Sequence, residues 1–280
     1  MRIYEYNIFD PRASAQIRVQ KSLLTHRAFP TIIAAMMQNE TQSHFSRIPW
    51  SARDVLLGIL VAGAGILGLN VVLLAASALT RLPLRDNGDV LSVFIIAQGL
   101  VLVGAVWLFS ARKYRAGWAQ VGLKGFSVRV GCVWATAFFI ASYCARTLYV
   151  AVALALGLRL GVQQILTRLD VAGVGFLLTL LVGAVIAPLA EEIFFRGFMY
   201  GGLRARLGVR WAIIVTALFF AALHFSWEFL IPILVLGIFL ALLYELTGSL
   251  YPGMILHVSN NLIALIAYFI AKAMGVPLPS

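Results

Sequence analysis

Six polar side chains in the carboxyl-terminal half of the chain have the types and spacing that hydrolytic chemistry needs. Glu191 and Glu192 are adjacent in Ala187-Pro188-Leu189-Ala190-Glu191-Glu192-Ile193-Phe194-Phe195-Arg196-Gly197, between apolar runs and after a proline able to kink a helix. Ionisable groups at membrane depth are costly and mark a functional site by default. On a helix, Glu192 and Arg196 stand at i and i+4 and form an ion pair, while Glu191 points about 100° away. The spacing separates a structural pair from an available base. His224 follows in Phe219-Phe220-Ala221-Ala222-Leu223-His224-Phe225, and His257 and Asn261, again i and i+4, share one helical face.

Two chemistries are open to this set. In one, Glu191 and His224 hold and deprotonate a water, and His257 and Asn261 donate hydrogen bonds to the oxyanion that forms at a scissile carbonyl. In the other, Glu191, His224 and His257 form the two-His-one-carboxylate set of a catalytic Zn(2+) site with an open position for water. No H-E-x-x-H run favours the second. Taken singly, each group also reads as packing: an ion pair locking two helices, a satisfied histidine, or interhelical hydrogen-bonding glue.

These residues need elements that bring them to one depth. The chain has 280 residues, 61% hydrophobic and 12% charged, with mean hydropathy +0.93. A soluble globular chain carries about 25% charged residues, so the composition excludes a water-soluble fold and predicts an all-α, polytopic transmembrane helical bundle. Apolar segments at 55–79, 90–109, 130–158, 171–190, 211–225, 229–246 and 252–271 give seven spans, with an eighth element able to hide in the long third segment. From Arg204 back to Glu191, and from Trp211 on to His224, is thirteen residues each, or ~20 Å along a helix. Pro252 to His257 covers only ~8 Å, so that helix must start deeper or tilt.

Lys and Arg number seven, five and four in alternate gaps, against two and two in the others. The positive-inside rule then places the amino terminus in the cytosol and the protein in the cell membrane. The net charge of +11 fits contact with membrane lipids, and no basic stretch interleaved with aromatics points to nucleic acid. Residues 1–54 read as a polar, basic cytosolic extension without a signal-peptide pattern, and 55–280 as the membrane domain. Cys132 and Cys144, twelve residues apart, are beyond disulfide reach on one helix and read as buried packing. Arg146 is expected to snorkel or pair, Glu228 and Glu245 to sit at turns, and Trp50, Trp107, Trp118 and Trp211 to form aromatic belts.

In order and rough spacing, Glu191-Glu192-x-x-x-Arg196, Phe220-x-x-x-His224 and His257-x-x-x-Asn261 resemble the three motifs of the CAAX prenyl-protease and bacteriocin-processing (CPBP) intramembrane proteases. The run Thr247-Gly248-Ser249-Leu250-Tyr251-Pro252 is similar too, and the likeness covers about 171–271. It implies a helical membrane endopeptidase whose cavity opens to the cytosol and whose substrate is a peptide or lipidated protein tail, a prenylated CAAX tail in eukaryotic relatives. It further implies that Glu191 and His224 hold the water and that His257 and Asn261 stabilise the oxyanion. Glu192 and Arg196 complete the first motif, and both metal-dependent and glutamate-activated mechanisms are read for the family. Two departures stand out: seven clear spans where members commonly have eight, and a 54-residue extension outside the core pattern.

Two other functions compete. A non-catalytic membrane binding or immunity protein would keep the pocket without turnover. A proton-coupled transporter would use the same carboxylates and imidazoles as a relay. The transporter predicts a matching broken segment in the other half of the chain, and none is present.

Overall fold

The computed structural model describes residues 44–158, 173–226 and 228–275. Residues 1–43, most of the expected extension, lie outside them, as does the gap at 159–172. The described residues are helical, in the order α1 (Ala52–Thr80), α2 (Gly88–Val106), α3 (Trp118–Val121), α4 (Val128–Ala155), α5 (Gly173–Leu180), α6 (Ala187–Glu192), α7 (Gly201–Ala222), α8 (Leu230–Thr247) and α9 (Tyr251–Ala273). A π-helical stretch, Trp107–Arg112, extends α2. Two more, Leu181–Ile186 and Ile193–Tyr200, join α5 to α6 and α6 to α7.

Six continuous helical runs are long and apolar enough to cross a membrane. One of them, Gly175–Ala222, has 48 residues, or ~72 Å, more than twice the hydrocarbon thickness. It is folded double. Gly208 has φ 72° and ψ 169°, an extended left-sided conformation that a side chain disfavours. The arms on either side of it come together: the rings of Phe195 and Phe220 lie 5.2 Å apart, thirteen residues before and twelve after the turn. The fourth and fifth apolar segments are thus two arms of one hairpin. The protein is a polytopic membrane bundle; among the described residues six runs are long enough to cross, one of them folded double, and α4 is a single helix.

The helix that carries the two glutamates runs through the middle of the bundle. Every residue from Phe194 to Tyr200 is buried. Close approaches show what surrounds it: Phe198 against Gly58 of α1, Ala190 against Gly99 of α2, and Val121 of α3 against Gly197. Pro188 does not kink it. The backbone stays helical at Ile186 (φ −64°, ψ −47°) and Ala187 (φ −61°, ψ −52°). A proline removes one helical hydrogen bond and crowds the preceding turn, and the π-helical widening just before it makes room for the ring.

The last part of the expected extension belongs to this core. His44, Phe45 and Trp50 are buried, and the compact unit begins at His44. Trp50 is therefore no belt residue: its indole N–H donates to the Phe198 carbonyl at 2.9 Å. Trp107, Trp118 and Trp211 are exposed. Phe45 packs edge-on against Tyr200 and Tyr244, with the Arg204 guanidinium 4.3 Å over its ring. Glu245, expected at a turn, instead takes both arms of Arg204 at 2.7 Å and the Tyr200 hydroxyl at 2.5 Å. Cys132 and Cys144 are exposed rather than buried, because α4 turns that face outward where lipid satisfies an apolar thiol. Arg146 lies 5.8 Å over the Phe229 ring, and Glu228 is in an exposed turn.

Two predictions follow from this packing. A Cβ on Gly197 would stand 2.5 Å from Val121 Cγ1 and 2.7 Å from its carbonyl oxygen. Gly197→Ala gains helix propensity yet should lower Tm in detergent, by the equivalent of about 1–3 kcal/mol of overpacking. His44 hydrogen-bonds Tyr244 Oη at 2.9 Å, and burial, then Lys124, Arg204 and Arg47, lower its pKa from 6.5 to about 4. The unfolded chain therefore binds the extra proton first, so this contribution to stability is complete above pH 6.5 and lost as pH falls towards 4. Replacing His44 with Gln should flatten that part of the Tm–pH curve.

Candidate active site

Glu192 is the centre of the site. It is 1% exposed, and its Oε1 accepts from Arg196 Nη1 at 2.8 Å and from His257 Nδ1 at 2.9 Å. Helical spacing places the first partner, and α9 brings the second from 65 residues away. Arg196, equally buried, gives its other arm to the Gly237 carbonyl of α8 at 3.3 Å and lies 4.3 Å over the Phe220 ring. A desolvated guanidinium is thereby met by a carboxylate, a carbonyl and an aromatic face, the partners that offset its burial. Glu192 Oε2 and Arg196 Nε have no hydrogen-bond partner among the described residues. A methyl at Gly253 would stand 3.3 Å from that oxygen.

Glu191 leaves this network, as its place on the helical wheel requires. It is 24% exposed, and its Oε2 stands 3.8 Å from His257 Nε2. One imidazole thus lies between two carboxylates, with Nδ1 on the buried one and Nε2 towards the accessible one. With Nδ1–H donated to Glu192, Nε2 is left unprotonated in the neutral ring. A gap of 3.8 Å is too long for a direct hydrogen bond and suits a water shared by both groups.

His224 lies just past the end of α7. Its Nδ1 is 2.8 Å from the Phe220 carbonyl, one of the acceptors a helix C-terminus leaves unused, which leaves Nε2 as the exposed nitrogen. The Phe220 ring is the hub between the motifs, 4.6 Å from the His224 ring and 5.7 Å from that of His257. Its motif position was legible, but nothing in the sequence marks it as the surface on which two imidazoles and a guanidinium meet. Asn261 donates from Nδ2 to the Gly183 carbonyl at 3.2 Å, inside the π-helical stretch before α6. Its amide ties α9 to that stretch and is not directed at the carboxylates.

The turn before α9 is buried: Ser249 Oγ donates to the Lys124 carbonyl at 2.6 Å, and Leu250 N–H to the Gly122 carbonyl at 2.9 Å. The three-ligand zinc set is not assembled in this arrangement. Among the described residues no group of three His, Cys, Asp or Glu side chains is gathered closely enough to share one ion. Glu192 and the Phe220 carbonyl hold the δ nitrogens of the two histidines, and the Phe220 ring packs against both imidazoles.

Residues 173–263 match the family model described as Type II CAAX prenyl endopeptidase Rce1-like. All six site residues fall inside the match. The match is to a family of membrane endopeptidases and covers about a third of the chain. UPF0177 protein YxdF of Lactococcus lactis subsp. lactis is 29% identical over 104 residues, 36% of this chain and 54% of that protein. The matched stretch thus spans about half the length of that curated relative. No solved structure matches. The matched stretch takes in the hairpin, α8 and the first part of α9, and the strap at 44–50 packs on it from outside the match.

Removing one member of the buried pair tests its role. Arg196→Met leaves a buried carboxylate without its cation and should cost about 3–5 kcal/mol, read as a lowered Tm in detergent. The charge-free double variant Glu192→Gln/Arg196→Met should recover most of that loss, since an apolar replacement of a whole buried pair is often neutral.

Proposed function

We propose that the protein is an intramembrane endopeptidase that hydrolyses a peptide bond in a membrane-associated protein or peptide, as CAAX-type proteases do. The observation that carries this reading is the 3.8 Å approach of Glu191 to His257, whose other nitrogen Glu192 holds. Glu191 takes a proton from the water as its oxygen attacks the scissile carbonyl. It then delivers that proton to the departing amine, so the water is divided between acid and amine products. The amide of Asn261, after releasing the Gly183 carbonyl, is left to meet the developing oxyanion, and His224, whose Nδ1–H is held by the Phe220 carbonyl, joins it through Nε2 only as the imidazolium. The 3.8 Å contact favours one change from the assignment the motifs imply: His257, rather than His224, shares the water with Glu191.

The proposed route runs without zinc. The amino terminus lies in the cytosol by the charge distribution, and the strap at 44–50 then meets the bundle from that side. The proposed substrate is a peptide or lipidated protein tail.

Purified protein should cleave a membrane peptide, and Glu191→Gln should reduce kcat by at least about a hundredfold, the lower range of general-base catalysis. Cleavage should survive chelation. Loss on chelation with recovery on adding zinc would move the mechanism to the metal. Biological activity surviving in Glu191→Ala would identify a binding or immunity protein instead.

A further inference from the structure

Asn260 takes no part in the contacts described above, yet it stands three residues from His257 and next to Asn261. On a helix, positions i+3 and i+4 share the face of position i, so both amides lie on the side of α9 that carries the imidazole. An amide inside a membrane bundle is costly unless its polar atoms are met. Such a residue commonly hydrogen-bonds from one helix to another. Among the described residues Asn260 does not: its Nδ2 donates to Asn261 Oδ1, on its own helix, at 3.4 Å. Asn261 in turn donates from Nδ2 to the Gly183 carbonyl at 3.2 Å. The two bonds run in one direction, from Asn260 through Asn261 to Gly183, and both side chains are half-buried.

That direction matters because Asn261 has to change partner. In the proposed reaction its Nδ2 leaves the Gly183 carbonyl and turns to the oxyanion. The two ends of an amide have nearly the same shape, one a donor and the other an acceptor. Once the Gly183 carbonyl is released, that contact no longer fixes which end is which, and an amide oxygen facing an oxyanion would repel it. The donor on Oδ1 can persist through the change, and a bonded oxygen also makes the nitrogen of the same amide a better donor.

We propose that Asn260 is a positioning residue: it holds the Asn261 amide by its oxygen, so that the nitrogen is the end presented to the oxyanion. This deepens the proteolytic reading and rests on it. Asn260 acts through Asn261 and touches no reacting atom.

The test uses full-length protein in detergent, a membrane peptide as substrate, and the variant Asn260→Leu, which is close to the amide in size and has no polar atom. Its kcat should fall about fivefold, the loss one neutral hydrogen bond gives, with KM and Tm unchanged. Asn260→Gln, which keeps a donor on a longer arm, should recover part of that loss. In an Asn261→Ala background the Asn260→Leu change should alter kcat by less than about twofold, because the residue it acts through is gone. An equal fall in both backgrounds, or no fall in either, overturns the proposal. A second arm needs no turnover: with labelled asparagine amides read by NMR, the Asn261 side-chain amide should exchange its hydrogens faster in Asn260→Leu than in wild type. Unchanged exchange overturns the proposal. Faster exchange in a protein whose wild type cleaves no peptide would overturn the proteolytic reading and leave the amide pair standing.

Discussion

A buried carboxylate shared between a guanidinium and an imidazole organises this structure. Glu192, Arg196 and His257 are each about 1% exposed, and none can keep its polar atoms there without the others. Burial of an ion pair is weak evidence for stability, because desolvation offsets the Coulomb attraction. What such a cluster contributes is specificity. Glu192 reaches Arg196 only on an α-helical turn and His257 only if α9 enters at one depth and rotation. Gly237 O and the Phe220 ring then fix α8 and α7 against the same guanidinium. Four helical elements are registered by one pair of charges.

The parts of the site legible in the sequence are those that helical periodicity controls. The i, i+4 spacing of Glu192 and Arg196 gives a 2.8 Å contact, and the divergence of Glu191 follows from the helical wheel. Gly208 folds the run into a hairpin whose arms meet at Phe195 and Phe220, positions nearly equidistant from the turn. The Gly208 turn was not itself read, since its glycine sits among arginines in what looked like an ordinary loop. Periodicity says nothing of what a side chain bonds once it arrives. His257 and Asn261 share a face in the sequence, yet one is bound to Glu192 and the other to Gly183, because α9 packs on two elements at once. Likewise Cys132 and Cys144 look like core residues from hydrophobicity alone, when in a bilayer the apolar exterior is just as good a place for them.

Residues 44–50 show the same limit from the polar side. Composition assigns them to a hydrophilic extension, but His44, Phe45 and Trp50 pack onto the π-helical stretch at 193–200 and onto Tyr244. The indole of Trp50 uses the Phe198 carbonyl, and Asn261 uses the Gly183 carbonyl, each in a π-helical stretch flanking α6. Such stretches are rare and concentrate at functional sites. Here two of them bracket the glutamate pair, and the backbone of each accepts a side-chain hydrogen bond from a distant part of the chain.

Two residues of the same type, adjacent in the chain, come to different roles through surroundings alone. Glu192 has both its neighbours inside the protein, and its charge is committed to Arg196 and His257. Glu191, one helical step round, has an imidazole nitrogen at 3.8 Å and a quarter of its side chain open. Exchange with water at one carboxylate and exclusion at the other is the condition for an intramembrane base beside a rigid support. That condition depends on the depth at which α9 begins. Hydrogen bonds from Ser249 and Leu250 to the carbonyls of Lys124 and Gly122 fix the turn from which α9 begins, and its second turn reaches the glutamates.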